Sequence, residues 1–233
     1  MKKLKTLKML KIINKKNISY FSKGGVINTI TKINNTFNNN NPLIIVSYKN
    51  PETQKYEIIK DETNNVYILN NKNKSKNTLQ LLAKKQSYYT GQPNIFIKNA
   101  IPKITYLVTL TDPDAPNGES KDNQIIKTNK TYTHWVFTQQ GTDNTLLSPH
   151  TEYVKYAPPT PPRGVHRYVF TLYSIKKRNA NNSTTQKVLS ILGDLKADSN
   201  IRMNYYELII VPLINLKLIE QHYSMLYKVA SSI

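Results

Sequence analysis

Thr111-Asp-Pro-Asp-Ala-Pro116 closes an extended, largely apolar run at residues 104–110, and two further segments of similar pattern follow it. The second is Thr133-His-Trp-Val-Phe137, and the third is Pro161-Pro-Arg-Gly-Val-His-Arg-Tyr-Val-Phe170. Each joins a β-branched or aromatic run to a stiff turn, and turns held by a rigid scaffold are where binding residues concentrate. Three such segments in order predict one shared pocket at the ends of strands.

Two prolines give the first segment a defined direction. Pro113 and Pro116 bias the residues before them away from the helical region, so the backbone beyond the strand is extended and stiff. We therefore expect the carboxylate of Asp112 to be held in one fixed direction. We expect the nearby Asp114 to have the structural role, in which an aspartate accepts backbone hydrogen bonds within its own turn.

Histidines open the strands of the other two segments. His134 precedes Trp135, and regular alternation predicts that these two side chains face opposite sides of a sheet. His166 shares its predicted face with Tyr168, whereas Arg167 points the other way. A protonated imidazole attracts phosphate, while a carboxylate attracts an ammonium group or orients a ring nitrogen. Two histidines and Asp112 together suit a small anionic or zwitterionic head group.

Most of the secondary structure predicted from the rest of the sequence is β-strand. Runs of β-branched and aromatic residues bounded by Pro, Gly, Asn or Asp predict eight strands, at residues 43–48, 56–59, 66–69, 95–98, 104–110, 134–138, 166–173 and 205–211. A helix is predicted at residues 185–192, with Ser183 or Thr184 as its cap and Gly193 as its end. A second helix is predicted at residues 213–227, which have helical length and lack Gly and Pro. The fold class is therefore mainly β.

The N-terminal segment differs from the rest of the chain. The first 51 residues hold ten Lys and no Asp or Glu, and residues 38–41 are four consecutive Asn. Such polar sequence buries too little apolar surface to offset its ordering entropy. We therefore predict a disordered basic extension at residues 1–42 and one domain at residues 43–233. The extension suits a mitochondrial targeting segment or a simple tail, which leaves a cytoplasmic or a mitochondrial location.

Composition limits the class of protein. The net charge of +19 would suit a nucleic-acid surface, but about half of the excess lies in the N-terminal segment, and a general bias toward Lys, Asn and Ile explains it equally well. The chain has no Cys, which excludes disulfides, thiolate zinc sites and a Cys nucleophile. No apolar run approaches the roughly 20 residues of a membrane span.

The three segments resemble those of the phosphatidylethanolamine-binding protein family, which includes Raf kinase inhibitor proteins, plant flowering regulators and yeast carboxypeptidase Y inhibitor. The chain is similar to fungal carboxypeptidase Y inhibitor-like members in particular, and the resemblance spans roughly residues 43–211. It implies an antiparallel β-sandwich with a few peripheral helices and a small anion-binding pocket. The resemblance also implies the ligand-binding residues, with the two prolines and Tyr132 at the rim: Asp112, His134, His166, Tyr168, Pro116, Pro162 and Tyr132.

The resemblance implies a non-enzymatic protein that binds a phosphorylated or phospholipid head group and regulates or inhibits a protease or kinase. A hydrolase using the His and Asp residues is a weaker alternative, because the sequence contains no Gly-x-Ser-x-Gly elbow. Two His and one Asp could also hold a metal ion, but the anion pocket explains them without one, so we expect neither metal nor cofactor. The remaining alternative is a structural component of the mitochondrial large ribosomal subunit, in which the basic N-terminus would contact rRNA.

Overall fold

Two sheets and a few short helices make up the part of the chain that this computed structural model describes, namely residues 41–59, 61–62, 84–116, 130–141, 151–176, 183–194 and 199–231. In chain order the strands are β1 (Leu43–Lys49), β2 (Tyr56–Ile58), β3 (Lys84–Lys85), β4 (Asn94–Lys98), β5 (Thr105–Asp112), β6 (Tyr132–Gln140), β7 (Thr151–Val154), β8 (Val165–Ile175) and β9 (Ile219–Ala230). The helices are a 3-10 turn (Gln86–Tyr89), α1 (Ser183–Gly193), α2 (Ser199–Arg202), a π-helical segment (Tyr206–Ile210) and α3 (Val211–Asn215).

The large sheet has the order β3-β9-β8-β5-β6-β7, and the small sheet has the order β2-β1-β4. All strand pairs are antiparallel except the two-residue β3, which runs parallel to β9. One face of the large sheet packs on the small sheet through a core that includes Val46, Ile97, Trp135 and Tyr227. The predicted antiparallel β-sandwich is confirmed.

The opposite face of the large sheet packs on the helices. Leu107 and Tyr173 of the sheet share a second core with Val188 and Leu192 of α1 and with Leu213 of α3. The large sheet is therefore covered on both faces, which explains why β5 and β8 are buried along most of their length rather than on alternate residues.

Six of the predicted strands and the first predicted helix are confirmed to within about two residues, which is the usual uncertainty of an element boundary. The predicted strand 66–69 lies outside the described residues. The predicted extension 1–42 also falls almost entirely outside them, so the domain boundary stays a prediction. Within the described ranges, no helix combines the length and apolar character that crossing a membrane requires.

Two predictions in the C-terminal region were wrong. Residues 205–211 form no strand, because Tyr206–Ile210 is π-helical and continues directly into α3. The helix predicted at 213–227 ends at Asn215, and Lys217 with φ of 54° turns the chain into β9. Residues 224–229 of β9 are all buried, so the sequence lacks the period-two signal of a half-exposed strand. Residues 219–230 form a strand because they hydrogen-bond with β8 along its whole length.

Candidate functional site

The site residues lie on the face of the large sheet that packs on the small sheet. Strand β5 ends at Asp112 beside the beginning of the antiparallel β8, so residues 54 positions apart along the chain become neighbours. Nδ1 of His166 donates a hydrogen bond of 2.7 Å to Oδ2 of Asp112, and both side chains are buried. The predicted meeting of a carboxylate and an imidazole is therefore present.

His134 reaches this face through an irregularity in β6. Leu110 of β5 is opposite Trp135, but the next residue, Thr111, is opposite Thr133, so His134 is an extra residue in the ladder. Such a bulge interrupts the alternation of side chains. The ring of His134 lies 5.1 Å from that of Tyr168, and Tyr168 and Trp135 belong to the same core. The prediction that His134 and Trp135 face opposite sides was therefore wrong.

Tyr168 lies between the two histidines. Its ring is edge-on to that of His134 and nearly parallel to that of His166, at 5.1 and 6.5 Å between centroids. Burial, and next to it the charge of the nearby Asp112, raises the pKa of its hydroxyl group. The half-buried Tyr132 stacks at an angle on His134, at 4.7 Å between ring centroids. The structure thus brings together Asp112, His134, His166 and Tyr168, with Tyr132 beside them.

The two predicted rim prolines are exposed and lie in the turns next to these strands. Pro116 follows a cis peptide bond in the turn after Asp112, and Pro162 lies four residues before His166. Within the first turn it is Asp112, rather than Asp114 as expected, that accepts the backbone hydrogen bond. Asp112 accepts the backbone N–H of Asp114 through Oδ1 at 2.8 Å, in addition to binding His166.

Asp114 instead connects its turn to β8. Its Oδ2 accepts the backbone N–H of Arg167 at 2.9 Å and the guanidinium Nε–H at 2.7 Å, and its Oδ1 accepts a bond from Nη2. This bidentate ion pair lies directly beside the Asp112–His166 contact and holds the turn against the strand. Residue types alone could not reveal it, because the partners are 53 positions apart.

Arg202 of α2 is a second positioning residue that the sequence analysis missed. Its guanidinium group donates to the backbone carbonyl groups of Thr133, His134 and Lys155, at distances of 2.9–3.2 Å. It therefore supports the bulge in β6 from behind the sheet. The backbone of Ala157 also helps to position His134, because its carbonyl oxygen accepts the Nδ1–H of that residue at 2.9 Å.

The pKa values of the two histidines are shifted in opposite directions. Burial lowers the pKa of His134 to about 4, although the nearby Asp112 and the bond to the carbonyl group of residue 157 act in the opposite direction. Burial also acts to lower the pKa of His166, but the hydrogen bond and the charge of Asp112 outweigh it and raise that pKa overall. At neutral pH the His134 ring is uncharged and, with Nδ1–H donated, its Nε2 is an acceptor.

Nε2 of His166 is buried and, within the described ranges, makes no hydrogen bond of normal geometry. When the ring is protonated this atom is a donor, and a buried donor gains most from a partner that carries negative charge. The site therefore combines a neutral acceptor at His134 with a donor at His166 that is charged when the ring is protonated. The part of the chain that the structure describes contains no group of three or more His, Asp or Glu side chains suited to a metal ion.

These shifts predict how the histidines respond to pH. We expect the imidazole resonances of His134 to titrate near pH 4 and those of His166 above pH 6.5, measured by NMR on the folded protein. In the unfolded chain His134 binds a proton near pH 6.5, whereas in the folded protein it does so only near pH 4. The folded protein is therefore at full stability above pH 6.5 with respect to this group, and it loses stability as the pH falls from 6.5 to 4. A His134 midpoint near 6.5 in the folded protein would contradict the buried, neutral assignment.

Parts of this sequence are similar to known proteins. A sequence model of the family described as phosphatidylethanolamine-binding protein matches residues 70–206. The chain is 32% identical over 95 residues to Protein BROTHER of FT and TFL 1 of Arabidopsis thaliana, covering 40% of this chain and 49% of that protein. It is 30% identical over 93 residues to Protein CENTRORADIALIS of Antirrhinum majus, covering 40% and 47%. The chain thus spans about half the length of the curated relatives it matches.

Among solved structures, the chain is similar to carboxypeptidase Y inhibitor, which was crystallised in complex with its cognate proteinase. The TM-score is 0.42 and the sequence identity is 17%, over 92% of this chain and 98% of that chain.

Proposed function

Because this chain belongs to the phosphatidylethanolamine-binding protein family, we propose that it binds a phosphorylated or phospholipid head group at Asp112, His134, His166 and Tyr168. The observation that carries the proposal is the convergence of one carboxylate and two imidazoles from β5, β6 and β8 at one end of the sandwich. All three groups are buried, so a ligand would meet them in a medium of low dielectric constant, where charged hydrogen bonds are strong.

Each group has a distinct part in this proposal. Nε2–H of protonated His166 donates to a phosphate oxygen, while Asp112 keeps the ring oriented through Nδ1. Nε2 of neutral His134 accepts a hydrogen bond from a phosphate hydroxyl or an ammonium group. The exposed Pro116 and Pro162, together with Tyr132, form the rim. A zwitterionic head group such as phosphoethanolamine matches this set of one charged donor and two acceptors.

We propose a binding role rather than a catalytic one. The hydrogen bonds recorded for the Nδ1 atoms of His134 and His166 go to a backbone carbonyl group and to Asp112. In the described ranges, neither ring is hydrogen-bonded to a Ser, Thr or Lys side chain that it could activate as a nucleophile. Among the described residues, a ligand held at this site would therefore meet no group placed to attack it.

The proposed consequence of binding is regulation or inhibition of a protease or kinase. This part rests on family membership and on the exposed turns of Pro116 and Pro162, which frame the site. It is tested by adding the purified protein to a carboxypeptidase and to a protein kinase and measuring inhibition with and without phosphoethanolamine. Lack of inhibition of either enzyme class under both conditions would count against it.

The head-group site itself is tested by calorimetric titration with phosphoethanolamine. We expect Asp112→Ala and His166→Ala to weaken binding roughly 10- to 100-fold, because a charge-assisted hydrogen bond contributes about 1.5–3 kcal/mol. Asp112→Asn is the companion variant, since its side-chain oxygen still accepts the N–H of Asp114. Lys187→Ala, on the exposed face of α1, serves as the control and should bind as the parent does.

Circular dichroism and thermal unfolding establish that each variant is folded before its affinity is compared. Titrations with inorganic phosphate and with ethanolamine separate the contributions of the two ends of the head group. Equal affinity of the parent and of folded Asp112→Asn, Asp112→Ala and His166→Ala proteins would eliminate the site.

A further inference from the structure

The outer face of the small sheet is unusually apolar for a sheet surface. Register places Ile45 opposite Phe96, and Ser47 opposite both Asn94 and Ile58, all on the side turned away from the large sheet. Ile58 is 68% exposed, although an outward position on a half-covered sheet normally carries a polar residue. A groove of about 360 Å³ crosses this face, and its lining is formed by Ile45, Ser47, Ile58, Asn94, Ile95 and Phe96.

Among the described residues of β1, β2 and β4, the charged side chains on the outer face are both basic and lie at its two ends. Lys98 is opposite Leu43 at one end, and Lys49 is opposite Tyr56, which is 54% exposed, at the other. The acidic residue of β2, Glu57, lies on the inner side, where it accepts hydrogen bonds from Asn50 and from Tyr88. Among the described residues of β1, β2 and β4, no acidic side chain faces outward.

We propose that this outer face docks on the surface of an anionic phospholipid membrane. Apolar and aromatic side chains between lysines match the boundary between acyl chains and acidic head groups. The lysine stems extend the apolar surface, while their ammonium groups reach the lipid phosphates. The phosphates of a nucleic acid would pair with the lysines but would offer no apolar partner to Ile45, Ile58 and Phe96. A lipid surface offers partners to both kinds of side chain.

The docking surface is separate from the Asp112–His166 site, which lies on the inner side of the sandwich, so the two proposals fail independently. Because the chain has no Cys, one introduced cysteine carries a fluorescent label at a single known place. The test compares full-length Ile58→Cys with Leu216→Cys, both labelled with an environment-sensitive dye. Leu216 is 43% exposed and follows α3 on the opposite side of the large sheet, which makes it a matched control.

Vesicles of phosphatidylcholine containing phosphatidylserine should shift the emission of the label at position 58 to the blue and leave the label at position 216 unchanged. Pure phosphatidylcholine vesicles or high salt should abolish the shift, because exposed charges are screened. In sedimentation with the same vesicles, Lys49→Gln and Lys98→Gln should each weaken binding about five-fold. Lys187→Gln on α1 is the control for loss of one charge and should have a much smaller effect.

This comparison separates the outer face from the lysine-rich N-terminal segment, which is identical in both labelled proteins. Vesicle binding with no shift at position 58, or with equal shifts at both positions, would overturn the proposal. A shift at position 58 that depends on protein concentration and needs no vesicles would identify a second copy of the chain as the occupant and would overturn it equally.

Discussion

Tyr227→Ala should lower the free energy of unfolding by about 3–5 kcal/mol, the usual cost of removing a buried aromatic side chain. Tyr227 is fully buried at the centre of the core between the sheets, where its ring lies 4.9–6.1 Å from those of Tyr48, Tyr89, Tyr168 and Phe170. Its hydroxyl group also shares a hydrogen bond of 2.9 Å with that of Tyr48. Urea denaturation of the parent and the variant measures the loss.

Tyr227→Phe is the matched variant, because it keeps the ring and removes only the hydroxyl group. We expect it to cost about 1 kcal/mol, the net contribution of one hydrogen bond. Since Tyr227 stacks on Tyr168, the alanine variant should also weaken phosphoethanolamine binding, whereas the phenylalanine variant should not. Equal losses of stability in the two variants would show that packing of the ring contributes little to stability at this position.

Asp114→Ala should lower the free energy of unfolding by about 2–4 kcal/mol, because it removes the carboxylate that compensates the charge of the largely buried Arg167. The two side chains are 11% and 18% exposed, so water offsets only part of the loss. The variant also removes the acceptor of the backbone N–H of Arg167. Because the pair holds the turn that carries Asp112, affinity for phosphoethanolamine should fall with stability.

The exposed pair Lys176–Glu220 provides the comparison. Its atoms are 3.2 Å apart, but the side chains are 38% and 54% exposed, so Glu220→Ala should cost less than about 1 kcal/mol. A double-mutant cycle over Asp114→Ala and Arg167→Ala isolates the coupling within the buried pair. A coupling energy no larger than that of Lys176 and Glu220 would mean that the buried ion pair does not anchor the turn.

Much of the site could be predicted from residue types and their order. Asp112, His166 and Tyr168 each stand where a strand meets a stiff turn, and β5 and β8 are regular enough that alternation predicts their faces correctly. The strands themselves are recognisable because β-branched and aromatic runs are separated by Pro, Gly and Asn. These signals are local, so they remain visible without any knowledge of the fold.

Signals that depend on distant partners were misread or missed. The bulge at His134 reverses the predicted face of that residue, and it is visible only once β5 lies beside β6. Residues 219–227 lack Gly and Pro and were predicted as part of a helix, but they belong to strand β9, which hydrogen-bonds along the edge of β8. Arg202 leaves no sequence signal of its role, because it binds backbone carbonyl groups, which every residue possesses.

The amino-acid sequence by itself determined that this chain forms a mainly β domain with an acid and two imidazoles at strand ends, because propensity, alternation and proline stiffness act between near neighbours. Only the tertiary structure decided that these groups meet, which histidine is neutral, and how Asp114 and Arg202 hold them. Contacts across 53 to 69 positions, and the burial that shifts the pKa of His134, exist only when the sheets close over one another.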